Sequence, residues 1–197
     1  MYIKLQRFIA EIKKDYDNFD FGEVYRSVNA YLTNTLSQFY LDFTKDILYI
    51  EDPKSNKRLS TQTVFYQILE SLIKLLAPIL PHTMSEAYDN LPYKKEEDVY
   101  LEDMPEAVET DKALETKFDK FMEYRDIILK KLEEARNQKI IGKSFNSKLI
   151  ITLDKDSKAV FEPIKEDAKQ LLIVSQLDLL LKIRPTIVTM AGRCLKT

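Results

Sequence analysis

The residues with the most chemistry in this sequence lie between positions 136 and 148. Arg136, Lys139, Lys143 and Lys148 occur there with no acidic residue between them, and Phe145 and Asn146 sit among them. Lysine and arginine neutralise phosphates, an aromatic ring stacks on an unpaired base, and an asparagine amide reads base edges. Together these suit recognition of a single-stranded nucleic-acid loop. The structural alternative is that basic residues at a helix end complement its dipole. Lys130 and Lys131 extend the stretch on its N-terminal side. A smaller group, Lys54, Lys57 and Arg58, falls in a turn-rich loop whose simpler reading is a solvated turn.

Catalytic arrangements are hard to build from the rest. The single histidine, His82, removes most histidine-based catalysis and metal ligation, and its expected role is structural or solvent-facing. The single cysteine, Cys194, excludes an internal disulfide and any multi-cysteine metal site within the chain. The run from Lys139 to Ser144, KIIGKS, resembles the end of a phosphate-binding P-loop. That motif needs a second glycine five positions before Gly142, where Asn137 stands, and no strand precedes it. Asp42 and Asp46 are one helical turn apart, but Lys45 lies beside them and a surface ion pair is the simpler account. No catalytic residue and no metal ligand is expected.

The elements that must position these groups are mostly helices. Only three glycines occur in 197 residues, which disfavours folds built on tight turns, and 45% hydrophobic residues provide for a sizeable core. Tyr2 to about Lys14 reads as a first helix. Asp20 to Tyr49 reads as one long helix, with Asp20 and Glu23 as a capping box. Val24, Val28, Tyr31/Leu32, Leu36, Phe39, Phe43 and Ile47 form its apolar stripe. At 1.5 Å per residue it is roughly 40 Å long, so other helices must line up along it. A third helix is expected over Thr61 to Ala77, capped by Ser60 or Thr61, and a short one from Met84 to Asn90 with Thr83 and Glu86 as a capping box. Residues 91–110 read as an irregular connector with Val99 to Leu101 extended. A last long helix, capped by Thr110, runs to Gln138, paired antiparallel with another bundle helix. Beyond it the period changes. Lys148 to Leu153 reads as a strand, Ser157 to Gln170 as a helix, and Leu171 to Val174 and Ile183 to Met190 as short strands. Pro185 makes the last of these an edge strand or a late-starting one.

The net charge of −2 conceals an asymmetry. Residues 1–110 carry 12 Lys+Arg against 19 Asp+Glu, and residues 111–197 carry 18 against 13. The basic half is the one that can face a polyanion. No run of about 18 apolar residues occurs and no signal peptide opens the chain, so a soluble cytoplasmic protein is expected.

Several phrases carry a family resemblance. FYLDFTKDILY, LLAPILPHTMSEAYDNLP, VYLEDMPE, YDNFDFGEVYRSV, EEARNQKIIGKSFNSKLIIT and LLIVSQL resemble the helical anticodon-binding domain of class I aminoacyl-tRNA synthetases. The group is the isoleucine–valine–leucine–methionine one, and the wording is most similar to its isoleucine branch. KIIGKS also resembles the ATP-gripping KMSKS loop of that class, but it lies in an anticodon-domain phrase. The resemblance implies a mainly α fold, with an anticodon-binding helical bundle over 1–140 and a small α+β junction piece over 141–197. It implies a stretch of a longer, monomeric ligase without the catalytic core. The partners would be isoleucine-accepting tRNA and the enzyme's own catalytic domain. No cofactor is expected here; ATP and Mg²⁺ would serve the parent enzyme, and zinc only a C-terminal module opening near Cys194. The alternatives are the valine enzyme's domain and a helical scaffold that binds protein rather than RNA.

Overall fold

The computed structural model describes residues 1–141, 148–153, 155–165, 167–172, 174–181 and 187–191. They form two compact units, 1–110 and 111–197. The charge asymmetry follows the same division: the first unit is the acidic one and the second the basic one.

In the first unit, α1 (Tyr2–Asp17) buries Leu5, Phe8, Ile9 and Ile12, a stripe with three- and four-residue steps. It continues past Lys14 and ends in a left-handed turn at Phe19, whose φ is 57°. The Phe19 and Asp20 amides donate to the carbonyls of Tyr16 and Asp15, each at 2.9 Å, which closes a Schellman motif. The chain then re-enters helix at once. Asp20 caps it by accepting the Glu23 amide at 3.0 Å. The returning half of the expected capping box is absent. Glu23 pairs with Arg26 instead, and Asp15 already occupies the Asp20 amide.

The long helix runs unbroken through α2 (Phe21–Ala30), a π-helical segment (Tyr31–Leu41) and α3 (Asp42–Ile50). π-Type bonding widens each turn and rotates the later residues about the axis. Val24, Val28 and Tyr31 are buried as the α-spacing requires, but Phe39 and its neighbour Tyr40 are then buried together, followed by Thr44 and Ile47. Leu36 and Phe43, expected in the stripe, are only half-buried at its margin. Tyr31 stacks on Phe8 of α1 with ring centroids 4.2 Å apart. Its hydroxyl is enclosed with no hydrogen-bond partner among the described residues, and burial raises its pKa.

Tyr40 meets Phe65 of α4 (Asn56–Leu76) at 4.9 Å. This helix begins before the expected Thr61, because Ser55 accepts the Arg58 amide at 3.2 Å and serves as its cap. Its first turn is nearly devoid of apolar residues, so periodicity could not reveal it. α5 (Pro81–Asp89) also starts early: Pro81 fills its first turn, Leu80 is the N-cap, and the Thr83–Glu86 box does not form. Tyr88 of α5 is buried with Ile73, Ala77, Leu91 and Val99. Val99–Leu101 is a 3-10 turn capped by Asp98, not extended chain.

In the second unit, Asp111, not Thr110, caps α6 (Lys112–Asn137), accepting the Ala113 and Leu114 amides at 2.8 and 3.1 Å. α6 buries Phe121, Arg125, Ile128, Leu132 and Ala135, while Leu114 of the expected stripe is exposed. Arg125 Nε donates to the Leu171 carbonyl at 3.0 Å. β1 (Lys148–Leu153) is followed by α7 (Lys155–Phe161), a 3-10 turn (Glu162–Ile164) and α8 (Ala168–Leu171). The single helix expected across this stretch is divided at Pro163, which has no amide hydrogen to continue it. Leu171 closes α8, so the described residues of 171–174 form no strand, and β2 (Gln176–Leu181) comes after them. β3 (Ile187–Ala191) starts late and lies at an edge, as Pro185 predicts. The sheet order is β2-β1-β3, with β1 parallel to β2 and antiparallel to β3. Phe161 of α7 meets Phe121 of α6 edge-on at 5.6 Å. α6 thus packs with the segment that carries the sheet, and the compact units divide at 110/111.

One polar cluster ties the connector to α4 and α5. Glu102 accepts from the Tyr88 hydroxyl at 2.7 Å and pairs with Lys74 at 3.0 Å, and Lys74 also holds Glu70 at 2.9 Å. Burial opposes ionisation of Glu102, but the Tyr88 hydroxyl and Lys74 ammonium outweigh it and hold its pKa below the ordinary glutamate value. A depressed carboxyl pKa adds stability above the unfolded-state value, and that contribution disappears as pH falls through the folded value. Glu102→Gln should lower the melting temperature near about pH 7, and the deficit should shrink toward about pH 3, as read by thermal melts across that range.

Candidate nucleic-acid interface

The basic stretch begins at the C-terminal end of α6. Ion pairs along the last turns hold the side chains against the helix: Lys131 with Glu134 at 2.8 Å and Arg136 with Glu133 at 3.3 Å. Both pairs are solvent-exposed, so each contributes little to stability and opens readily for a competing phosphate. The helix closes in a second Schellman motif. Lys139 donates to the Arg136 carbonyl and Ile140 to the Ala135 carbonyl, both at 3.0 Å. Lys139 is the left-handed residue, with φ 59°. Glycine is the residue most at ease there. The Lys139 side chain is exposed, with no ion-pair partner among the described residues.

Ile141 is buried immediately beyond, which anchors the end of the helix. Lys143, Phe145 and Asn146, with the rest of the KIIGKS run after Ile141, lie outside the described residues. Lys148 opens β1 and pairs with Asp178 of the neighbouring β2 at 2.7 Å. The structure thus places Arg136, Lys139 and Lys148 in the second unit, with two of the three already ion-paired.

Lys54, Lys57 and Arg58 belong to the first unit, around the α3–α4 loop. Asp52 Oδ1 accepts the Lys54 amide at 2.7 Å, and the Lys54 side chain is exposed. Arg58 also supports its own loop. Its guanidinium donates to the Glu51 carbonyl at 3.1 Å, and its Nε is enclosed. It braces the loop that reverses the chain between α3 and α4. Tyr49 and Ile50, 85% and 78% exposed, flank the same loop. Sequence periodicity gave no reason to single them out, since they lie off the apolar stripe. The surface pair expected at Asp42 forms, with Lys45 at 3.1 Å, and His82 is exposed.

The geometry therefore offers exposed cations at the end of a long helix in a basic unit. Comparison with known proteins gives this surface a context. Residues 1–151 match the family described as the anticodon-binding domain of tRNA ligase. The chain belongs to that family. Over 178 residues it is 49% identical to the isoleucine–tRNA ligase of Bacillus cereus strain B4264, and equally to that of Bacillus anthracis strain A0248. The same identity holds for isoleucine–tRNA ligase 1 of Bacillus thuringiensis subsp. konkukian. These matches cover 89% of the chain but 19% of each relative, so the chain spans about a fifth of the length of the curated relatives it matches. The family match runs past α6 and through most of β1, across the boundary between the compact units.

Two substitutions separate bracing from binding. Arg58→Ala should destabilise the chain by about 1–3 kcal/mol, the scale of a lost hydrogen bond from a charged donor, as read by denaturant melts. Lys139→Gly should leave stability unchanged or raise it by up to about 1 kcal/mol, because glycine relieves the left-handed turn.

Proposed function

We propose that this chain holds the anticodon stem-loop of isoleucine-accepting tRNA as part of an isoleucine–tRNA ligase. The observation that carries the reading is 49% identity to isoleucine–tRNA ligases over 89% of the chain, within a family of anticodon-binding domains. The basic second unit supplies phosphate contacts through Arg136, Lys139, Lys143 and Lys148, and Phe145 and Asn146 meet splayed bases. Phosphate contacts set most of the affinity, and base contacts set the choice of tRNA. Lys54 and Lys57 add a second, weaker contact. On this reading the work is mechanical: the chain fixes the anticodon end of the tRNA. ATP- and Mg²⁺-dependent activation of isoleucine, and its transfer to tRNA, belong to the remainder of the ligase. The ligase acts as a cytoplasmic monomer, and any zinc belongs to a module beyond this chain.

The test is binding of this chain to tRNAs for isoleucine, valine and methionine at two salt concentrations. With about four phosphates engaged, affinity should fall about 50- to 150-fold between about 50 and 200 mM salt. Isoleucine tRNA should bind tightest. Lys139→Glu should weaken all three and reduce the salt slope by about one. Salt-insensitive binding, or no binding at low salt, contradicts the proposal.

A further inference from the structure

The corner between α1 and α2 has a composition opposite to that of the RNA-facing surface. Phe19, Phe21 and Tyr25 are 78%, 53% and 70% exposed. Tyr16, against which Phe21 packs edge-on at 6.1 Å, donates its hydroxyl to the Leu75 carbonyl at 2.8 Å. The corner thus abuts the end of α4, where the turn into α5 exposes Ile79 and Leu80. Between residues 15 and 23 there are four acidic residues, Asp15, Asp17, Asp20 and Glu23, and no basic one. Partial burial and then the negative field of Glu11, Glu23 and Asp20 raise the pKa of Asp15.

Phe19 is the informative residue. It holds a left-handed conformation in which a bulky side chain is strained by about 1–2 kcal/mol, yet its ring makes no use of the fold's own core. Strain kept for an exposed aromatic is what a docking residue requires, since a folding role would place glycine there. The three rings offer roughly 400 Å² of contact surface at typical aromatic areas. That is a large share of an inter-domain interface of about 600–1,500 Å². The acidic rim repels phosphates and attracts cations.

We infer that the α1–α2 corner docks a basic protein surface with apolar sockets, carried by the part of the ligase polypeptide outside this chain. The inference rests on the ligase reading. That reading leaves about four-fifths of each relative's length unaccounted for by this chain, so the occupant has ample chain to come from. Asp17 and Asp20 meet its lysines or arginines, and Phe19, Phe21 and Tyr25 enter its sockets. RNA is thereby kept away from this corner.

Amide hydrogen exchange on residues 18–25 tests this, comparing the 197-residue chain with the full ligase polypeptide, both without tRNA. Exchange should be at least about tenfold slower in the full polypeptide. Phe19→Gly should leave the melting temperature of the 197-residue chain unchanged or higher and remove most of that protection in the full polypeptide. Equal exchange in both contexts overturns the inference. So does protection that arises only when tRNA is added, which would make RNA the occupant, or protection that survives Phe19→Gly. Charging of isoleucine tRNA by the same preparation checks the ligase reading separately. A polypeptide that shields the corner without charging that tRNA overturns the ligase reading and leaves the docking surface in place.

Discussion

The first unit depends on one constraint: a helix from Phe21 to Ile50 must bury aromatic side chains along its length. Tyr31 commits it to Phe8 of α1, and Tyr40 commits it to Phe65 of α4. Those two ring contacts fix the neighbours of both halves of the helix. The π segment is what makes the arrangement possible, because it turns Phe39 and Tyr40 inward together where an α-helix would hold one of them at the margin. Everything at the ends of this helix follows: the tight entry at Asp20, the braced loop after Ile50, and the exposed aromatic corner beside α4.

Much of this was legible in the amino acids. The apolar stripe gives the long helix, Asp20 gives its start, and KLIITL gives the central strand of the sheet. The misreadings share a cause, which is local rules competing with each other. Ser55 and Ser60 are equally good caps by residue type, and the first turn of α4 has too few apolar residues to decide. Thr83 and Glu86 have capping-box spacing, but Pro81 starts the helix before they can act. Pro163 divides a stretch whose flanks both favour helix. The π segment leaves no mark on residue type, so Tyr40 and Thr44 could not be placed in the core by α-periodicity.

The candidate site was legible in part. Its charge showed in the sequence, but whether a cation is free to act did not. Arg58 donates to the Glu51 carbonyl, and Lys148 pairs with Asp178 across strands distant in sequence. Conversely, nothing in residue type marks Lys139 and Phe19 as left-handed, yet both close a Schellman motif. In each case a charged or aromatic residue takes the place that glycine would fill with less strain. One displays a cation and the other an aromatic ring among acids.

On the proposed function there is a division of labour: the basic unit meets RNA and the acidic corner of the first unit does not. Photo-crosslinking reads this directly, using isoleucine tRNA with 4-thiouridine in its anticodon loop, bound to this chain and mapped by peptide mass spectrometry. On this division of labour, crosslinks fall on peptides between residues 130 and 148. Crosslinks concentrated between residues 15 and 25 would contradict it.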